Sequence, residues 1–169
     1  ALKPDATIES VIKTGSQFLS EEPWSEVEQG LKWAEKADSY EELRNLFYEK
    51  YNGQGNTYGM SMSHELVSKG FALFKFTEGN PKETILKAVN MGRDTDCTAA
   101  IASGLSGAFS GSGDIPQKWI DQVDKATKAN KYTVAQYTLQ EAADGLYEAY
   151  KAELEKNKDI IASMEKIMD

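Results

Sequence analysis

Cysteine and histidine are nearly absent from this chain: its 169 residues include one of each, Cys97 and His64. A single thiol excludes an intrachain disulfide. One Cys with one His also excludes structural zinc sites built from four cysteines or from two cysteines and two histidines. The lone thiol fits a reducing compartment, and a cytoplasmic location is the expectation. Long apolar runs are missing as well. None approaches the ~20 residues that cross a bilayer, so no membrane partner is expected. Basic residues are in the minority, with 19 Lys and Arg against 27 Asp and Glu and a formal charge of −8. That balance argues against direct binding to a nucleic-acid backbone, which calls for a basic face. It leaves open a site that meets phosphates through a bound cation.

What is present reads as globular and helical. The chain is 40% hydrophobic and 27% charged, in the range of folded proteins, and is long enough for one buried core. Ile8, Val11, Ile12, Phe18 and Leu19 recur near a 3.6 period over residues 6–19. Pro23 suits the first turn of a second helix carrying Trp24, Val27, Leu31 and Ala34. Ser39 and Glu42 have capping-box spacing ahead of Leu43, Leu46 and Phe47. Residues 52–62, NGQGNTYGMSM, break the rhythm as a loop. Ser63 is placed to cap the next helix, and Asn80 with Pro81 opens another through Ile85, Leu86 and Val89. Gly92 stands where a helix C-terminal glycine belongs. Further helices are expected over 96–111, from Asp114 and Pro116, from Thr133, and in a Lys/Glu-rich tail over 155–169. No alternating strand pattern occurs. The expected fold is all-α, a multi-helix orthogonal bundle forming a single domain.

Two features ask for a reason. The segment 96–111, DCTAAIASGLSGAFSG, carries Gly104, Gly107 and Gly111. Glycine costs a helix interior roughly 1 kcal/mol against alanine, so close approach by neighbouring helices is expected, with this helix at the centre. Just before it stands Gly92-Arg93-Asp94-Thr95-Asp96-Cys97. Two carboxylates at i and i+2 in a turn can aim oxygens to one side, where a hard cation would take several of them. They can equally do no more than cap the helix. An EF-hand is excluded, because counting from Asp94 position six is Ala99 and position twelve is Leu105. A Cys97–His64 nucleophile pair is conceivable, but nothing supplies an oxyanion hole or a third member.

The string NMGRDTDCTAAIASGLSGAFSG, followed by Ile115, Pro116 and Trp119, resembles the C-terminal signature of the ADP-ribosylglycohydrolase family. The family includes dinitrogenase-reductase-activating and crystallin-J1-like proteins. The likeness runs over roughly residues 60–125 and takes in His64 and Asn90. It implies an all-α bundle and a site holding a pair of Mg2+ ions, or Mn2+. Asp94 and Asp96 match metal-binding positions, and Cys97 matches a position often filled by a hydroxyl ligand. The implied reaction is hydrolysis of the glycosidic bond between ADP-ribose and an acceptor. The substrate would be an ADP-ribosylated protein or an ADP-ribose-containing small molecule. Arg93 would contact phosphate or sit exposed in its turn. His64 would hydrogen-bond at the site or be structural. Gly53 and Gly55 would bring backbone to the ligand or merely connect. The family's N-terminal Gly-Asp-x-x-Gly opening and Thr-Asp-Asp motif are absent, and no two aspartates are adjacent anywhere in the chain. Together with a start at Ala1, this gives the expectation that the chain supplies the C-terminal half of the site and is inactive alone. A missing N-terminal segment or second polypeptide would complete it. The competing expectation is a non-catalytic helical relative acting as a binding or structural protein.

Overall fold

A computed structural model describes residues 1–52, 59 and 62–168. Among them there are eight helices and no strand: α1 Ile8–Ser16, α2 Glu21–Lys36, α3 Tyr40–Tyr51, α4 Ser63–Phe76, α5 Pro81–Val89, α6 Thr95–Ser110, α7 Gln117–Ala129 and α8 Leu139–Met168. The all-α expectation holds. The chain divides into two compact units, Ala1–Ile115 and Pro116–Asp169. Gly53 and Gly55 lie outside the described residues.

In the first unit the helix starts follow the local chemistry. The Ser39 hydroxyl accepts the Glu42 amide at 3.2 Å. The Asn80 side chain accepts the Glu83 amide at 2.9 Å, with Pro81 as the first helical residue, where its missing N–H costs nothing. Ser63 differs from expectation. It is the first residue of α4, and the cap position belongs to Met62, which gives no side-chain bond.

The most deeply buried helix is α4 rather than the glycine-rich α6. It packs against α2 on one side and α6 on the other, burying Leu66, Ala72, Leu73 and Phe74. One cluster gathers Leu43, Phe47 and Tyr51 of α3 with Leu73, Ala88, Met91 and Ala102. A second gathers Val11, Ile12, Val27, Leu31 and Phe74. The close approaches use other glycines than those of α6. A Cβ on Gly70 would stand 2.6 Å from Ile101, while Gly104 and Gly107 face open space. α6 meets the bundle through Thr98, Ala102 and Ser106, which are buried. The hydroxyls of Thr77, Thr84 and Ser106 form a chain, 2.6 and 2.9 Å apart, that satisfies polar groups inside the unit.

The tightest helix crossing is at Gly30. A Cβ there would lie 2.5 Å from the Ser68 hydroxyl and 2.9 Å from the Phe47 ring. Ser68 is held by donating to the Glu26 carbonyl at 2.7 Å, so it cannot simply turn aside. Gly30→Ala is therefore expected to destabilise the first unit by about 1–3 kcal/mol, read as a lower denaturant midpoint. An unchanged midpoint would show that α2 and α4 can part at no cost.

The second unit departs from the expected pattern at its end. Instead of a helix from Thr133 and a separate tail helix, a single helix runs from Leu139 to Met168. Its start is fixed by Thr138 and Glu141, each accepting the other's amide, at 3.1 and 2.7 Å. No Gly or Pro follows Gly145 to stop it. The Lys156–Glu153 pair, three residues apart, crosses the expected break, and Lys158–Glu155 continues the pattern just beyond it.

Candidate metal centre

The segment between α5 and α6 is a sharp turn made of two consecutive left-handed residues. Gly92 has φ +85° and Arg93 has φ +65°. A residue with a side chain in that region is strained unless something holds it. Here the Arg93 Nε–H reaches both carboxylate oxygens of Glu65, at 2.7 and 2.9 Å, and Nη2 donates to the Gly59 carbonyl at 3.2 Å. Lys69 completes the arrangement. Its ammonium donates to Glu65 at 2.6 Å and to the Gly92 carbonyl at 3.2 Å. Glu65 is 0% and Lys69 1% exposed. Burial pushes the Lys69 ammonium below its ordinary pKa, and the Glu65 carboxylate opposes that shift. Two cations on one fully enclosed carboxylate thus clamp the turn from beneath.

The clamp delivers Asp94 to the N-terminus of α6. One Asp94 carboxylate oxygen accepts the Cys97 amide at 3.3 Å, and its carbonyl accepts the Thr98 hydroxyl at 2.8 Å. Asp94 therefore caps the helix. The same placement brings Asp94, Asp96 and Cys97 together, with one potential ligand atom from each inside 4.8 Å of the others. Asp96 and Cys97 are exposed and Asp94 is half-buried. The Asp94 hydrogen bond, with some desolvation and the two nearby carboxylate charges, pushes the Cys97 thiol above its ordinary pKa. At neutral pH it is a neutral thiol.

Tested against a hard divalent cation, this donor set fits in two of its three members. Carboxylate oxygens are what Mg2+ and Mn2+ take, whereas sulfur, and a protonated sulfur above all, is a poor ligand for either.

The other residues singled out in the sequence lie elsewhere or do other work. His64, at the start of α4, lines a cavity of about 140 Å³ with Leu19, Pro23, Val27, Ser63 and Val67. Its field also reaches Glu26: desolvation opposes ionisation of that carboxyl, but Lys50, Tyr51 and His64 hold it below the ordinary carboxylate value. Arg93, a candidate phosphate contact, places its Nε–H on Glu65 and its Nη2 on the Gly59 carbonyl. Glu65 and Lys69 were not marked by the sequence as site residues. Their four-residue spacing was the available signal.

A family model described as ADP-ribosylglycohydrolase matches residues 1–155. The chain belongs to the ADP-ribosylglycohydrolase family. The match extends well past the motif region at 60–125 on which the resemblance rested. Among curated proteins, an ADP-ribosyl-(dinitrogen reductase) glycohydrolase of Rhodospirillum rubrum is 32% identical over 81 residues, which cover 48% of this chain and 26% of that protein. The aligned part thus spans about a quarter of that relative's length. No solved structure matches the chain. Among the described residues, no helix of this glycohydrolase-family chain is long and apolar enough to cross a membrane.

Proposed function

We propose that this chain forms part of a divalent-cation-dependent hydrolase that cleaves the glycosidic bond between ADP-ribose and an acceptor side chain. The observation that carries the reading is the gathering of Asp94, Asp96 and Cys97 within 4.8 Å, on a turn clamped by buried charges, in a member of this family. Asp94 and Asp96 would hold Mg2+ or Mn2+, with a second ion placed by residues outside this chain. The cation supplies Lewis-acid polarisation of ribose oxygens and of water. The chain's own part is positional. Asp94 keeps one oxygen on the α6 amide while its carboxylate stands in the same cluster as that of Asp96. Glu65 and Lys69 keep the turn from relaxing, so that neither carboxylate has to be reorganised when a ligand arrives. Arg93 and His64 remain candidates for the edge of the substrate site, as do Gly53 and Gly55. The name of the Rhodospirillum relative supports an ADP-ribosylated protein as substrate. The chain would be the C-terminal part of a larger all-α domain, completed by another segment or polypeptide.

The test is release of ADP-ribose from an ADP-ribosylated protein by the full-length gene product. Turnover is expected that a chelator abolishes and Mg2+ or Mn2+ restores, with none from these 169 residues alone. Cys97 favours a second reading, a non-catalytic relative that kept the scaffold, because a protonated thiol replaces an oxygen ligand. Absence of turnover by the full-length product with either metal would select that reading.

A further inference from the structure

α8 is a 30-residue helix, about 45 Å of rod at 1.5 Å per residue. The hydrogen bond and ion pair that join it to α7 lie in its first turn, from the Leu139 amide to Asp124 at 2.8 Å and from Lys128 to Glu141 at 3.6 Å. Beyond that turn it carries a row of exposed apolar side chains. Tyr150 is 65% exposed, Ile161 56% and Met164 60%.

The spacing of that row is regular. Tyr147, Tyr150, Leu154, Asn157, Ile161 and Met164 follow one another at alternating intervals of three and four. This is the 3.5-residue repeat of a helix that supercoils with another helix, and Leu146, Ile160 and Ile167 widen it along one edge. The helix is itself acidic, with seven Asp and Glu against four Lys between Leu139 and Met168. It therefore lacks the basic polar face of a helix that lies on an anionic membrane.

The flanking charges choose the partner. In a parallel pair of identical helices, Glu153 stands beside Lys158 of the second copy, twice by symmetry, and the two Asn157 amides face each other. In the antiparallel pair that overlaps the whole seam, Lys151 meets Lys158, Asp144 meets Glu165, and each Asn157 amide is set against Leu154. The first arrangement pairs opposite charges and satisfies the amides; the second opposes like charges and strands them. We infer that α8 is a self-association element, which joins two copies of this chain as a parallel coiled coil through the seam from Tyr147 to Met164. Asn157 fixes the register.

The experiment is sedimentation equilibrium of the full-length gene product over the micromolar range. The expected mass is twice that of one protomer. Leu154→Glu should raise the dissociation constant roughly a hundredfold or more, because each dimer would bury two charges in the seam. Helix loss at that site is controlled by a charge-reversal set. Glu153→Lys and Lys158→Glu should each weaken the dimer by about twofold or more, and the double variant should restore it. Orientation is read in a Cys97→Ser background, where Tyr150→Cys should form a disulfide with its own counterpart. A monomer or any other mass overturns the inference. So does a dimer indifferent to Leu154→Glu, or one in which the double charge reversal fails to rescue. Cross-linking that requires Tyr150→Cys on one copy and Ile161→Cys on the other overturns the parallel orientation.

Discussion

Glu65→Ala is expected to cost the first unit about 3–5 kcal/mol, the range for removing one partner from a buried charge cluster. The Glu65 carboxylate takes the Lys69 ammonium at 2.6 Å and the Arg93 Nε–H at 2.7 and 2.9 Å, and no solvent reaches it. Without it Lys69 retains the Gly92 carbonyl but has no anion against which to offset its desolvation. Arg93 also loses the contact that compensates its left-handed backbone. Lys69→Met should cost less, within roughly 2 kcal/mol, since it keeps the volume, removes the buried cation and leaves Glu65 paired with Arg93. Glu65→Gln, which keeps the volume and removes only the charge, should still cost more than Lys69→Met; that asymmetry is the signature of a clamp, because ordinary loss of packing would leave these two volume-conserving variants alike. The measurement is chemical unfolding followed by tryptophan fluorescence in a Trp119→Phe background. The remaining tryptophans, Trp24 and Trp33, then report on α2 alone. Equal, small effects from both variants would mean that water or a neighbouring side chain takes over the charge, and that the turn at Gly92 and Arg93 holds its own shape.

The clamp also shows where sequence reasoning stopped. Caps were legible at Ser39, at Asn80 with Pro81 and at Asp94, because capping chemistry acts within four residues and needs no tertiary information. The all-α class and the gathering of Asp94 with Asp96 were legible for the same reason. Glu65 and Lys69 were not, since a Glu–Lys pair four residues apart is ordinarily a solvent-exposed pair. Only packing by α2 and α6 turns it into the inside of α4. The glycines misled in the same way. Gly104 and Gly107 were marked as close approaches because their cost was visible, but the crossings fall at Gly30 and Gly70. A glycine's cost belongs to its own helix, whereas its use depends on which face a neighbour covers. The continuity of α8 is a third case. The Lys–Glu pairs that bridge residues 153–158 were in the sequence, but residues 155–169 read as a separate tail helix because they are rich in Lys and Glu.

Asp94→Asn and Asp94→Ala are expected to separate the two things that Asp94 does. Asparagine caps a helix about as well as aspartate, so its carbonyl can still accept the Cys97 amide now bound at 3.3 Å. Stability should move by only a few tenths of a kcal/mol, the share of the lost carboxylate at the positive end of α6. Alanine removes the cap and should cost about 1 kcal/mol. Divalent-cation binding ranks the same variants differently. Both neutral side chains delete half of the carboxylate pair, so Mn2+ affinity of the full-length protein, followed by paramagnetic resonance, should fall by about tenfold or more in each, whatever the melt does. Metal-dependent release of ADP-ribose should fall with it. Cys97→Ser works in the opposite direction. It replaces a protonated thiol by a hydroxyl oxygen inside the same 4.8 Å cluster, so Mg2+ should gain more than Mn2+, the harder ion responding more to the change of donor. If Asp94→Asn leaves Mn2+ affinity intact while Asp94→Ala lowers only the melting temperature, then Asp94 is a helix cap and nothing more. The turn built around Glu65 and Lys69 would then serve the fold rather than a cation.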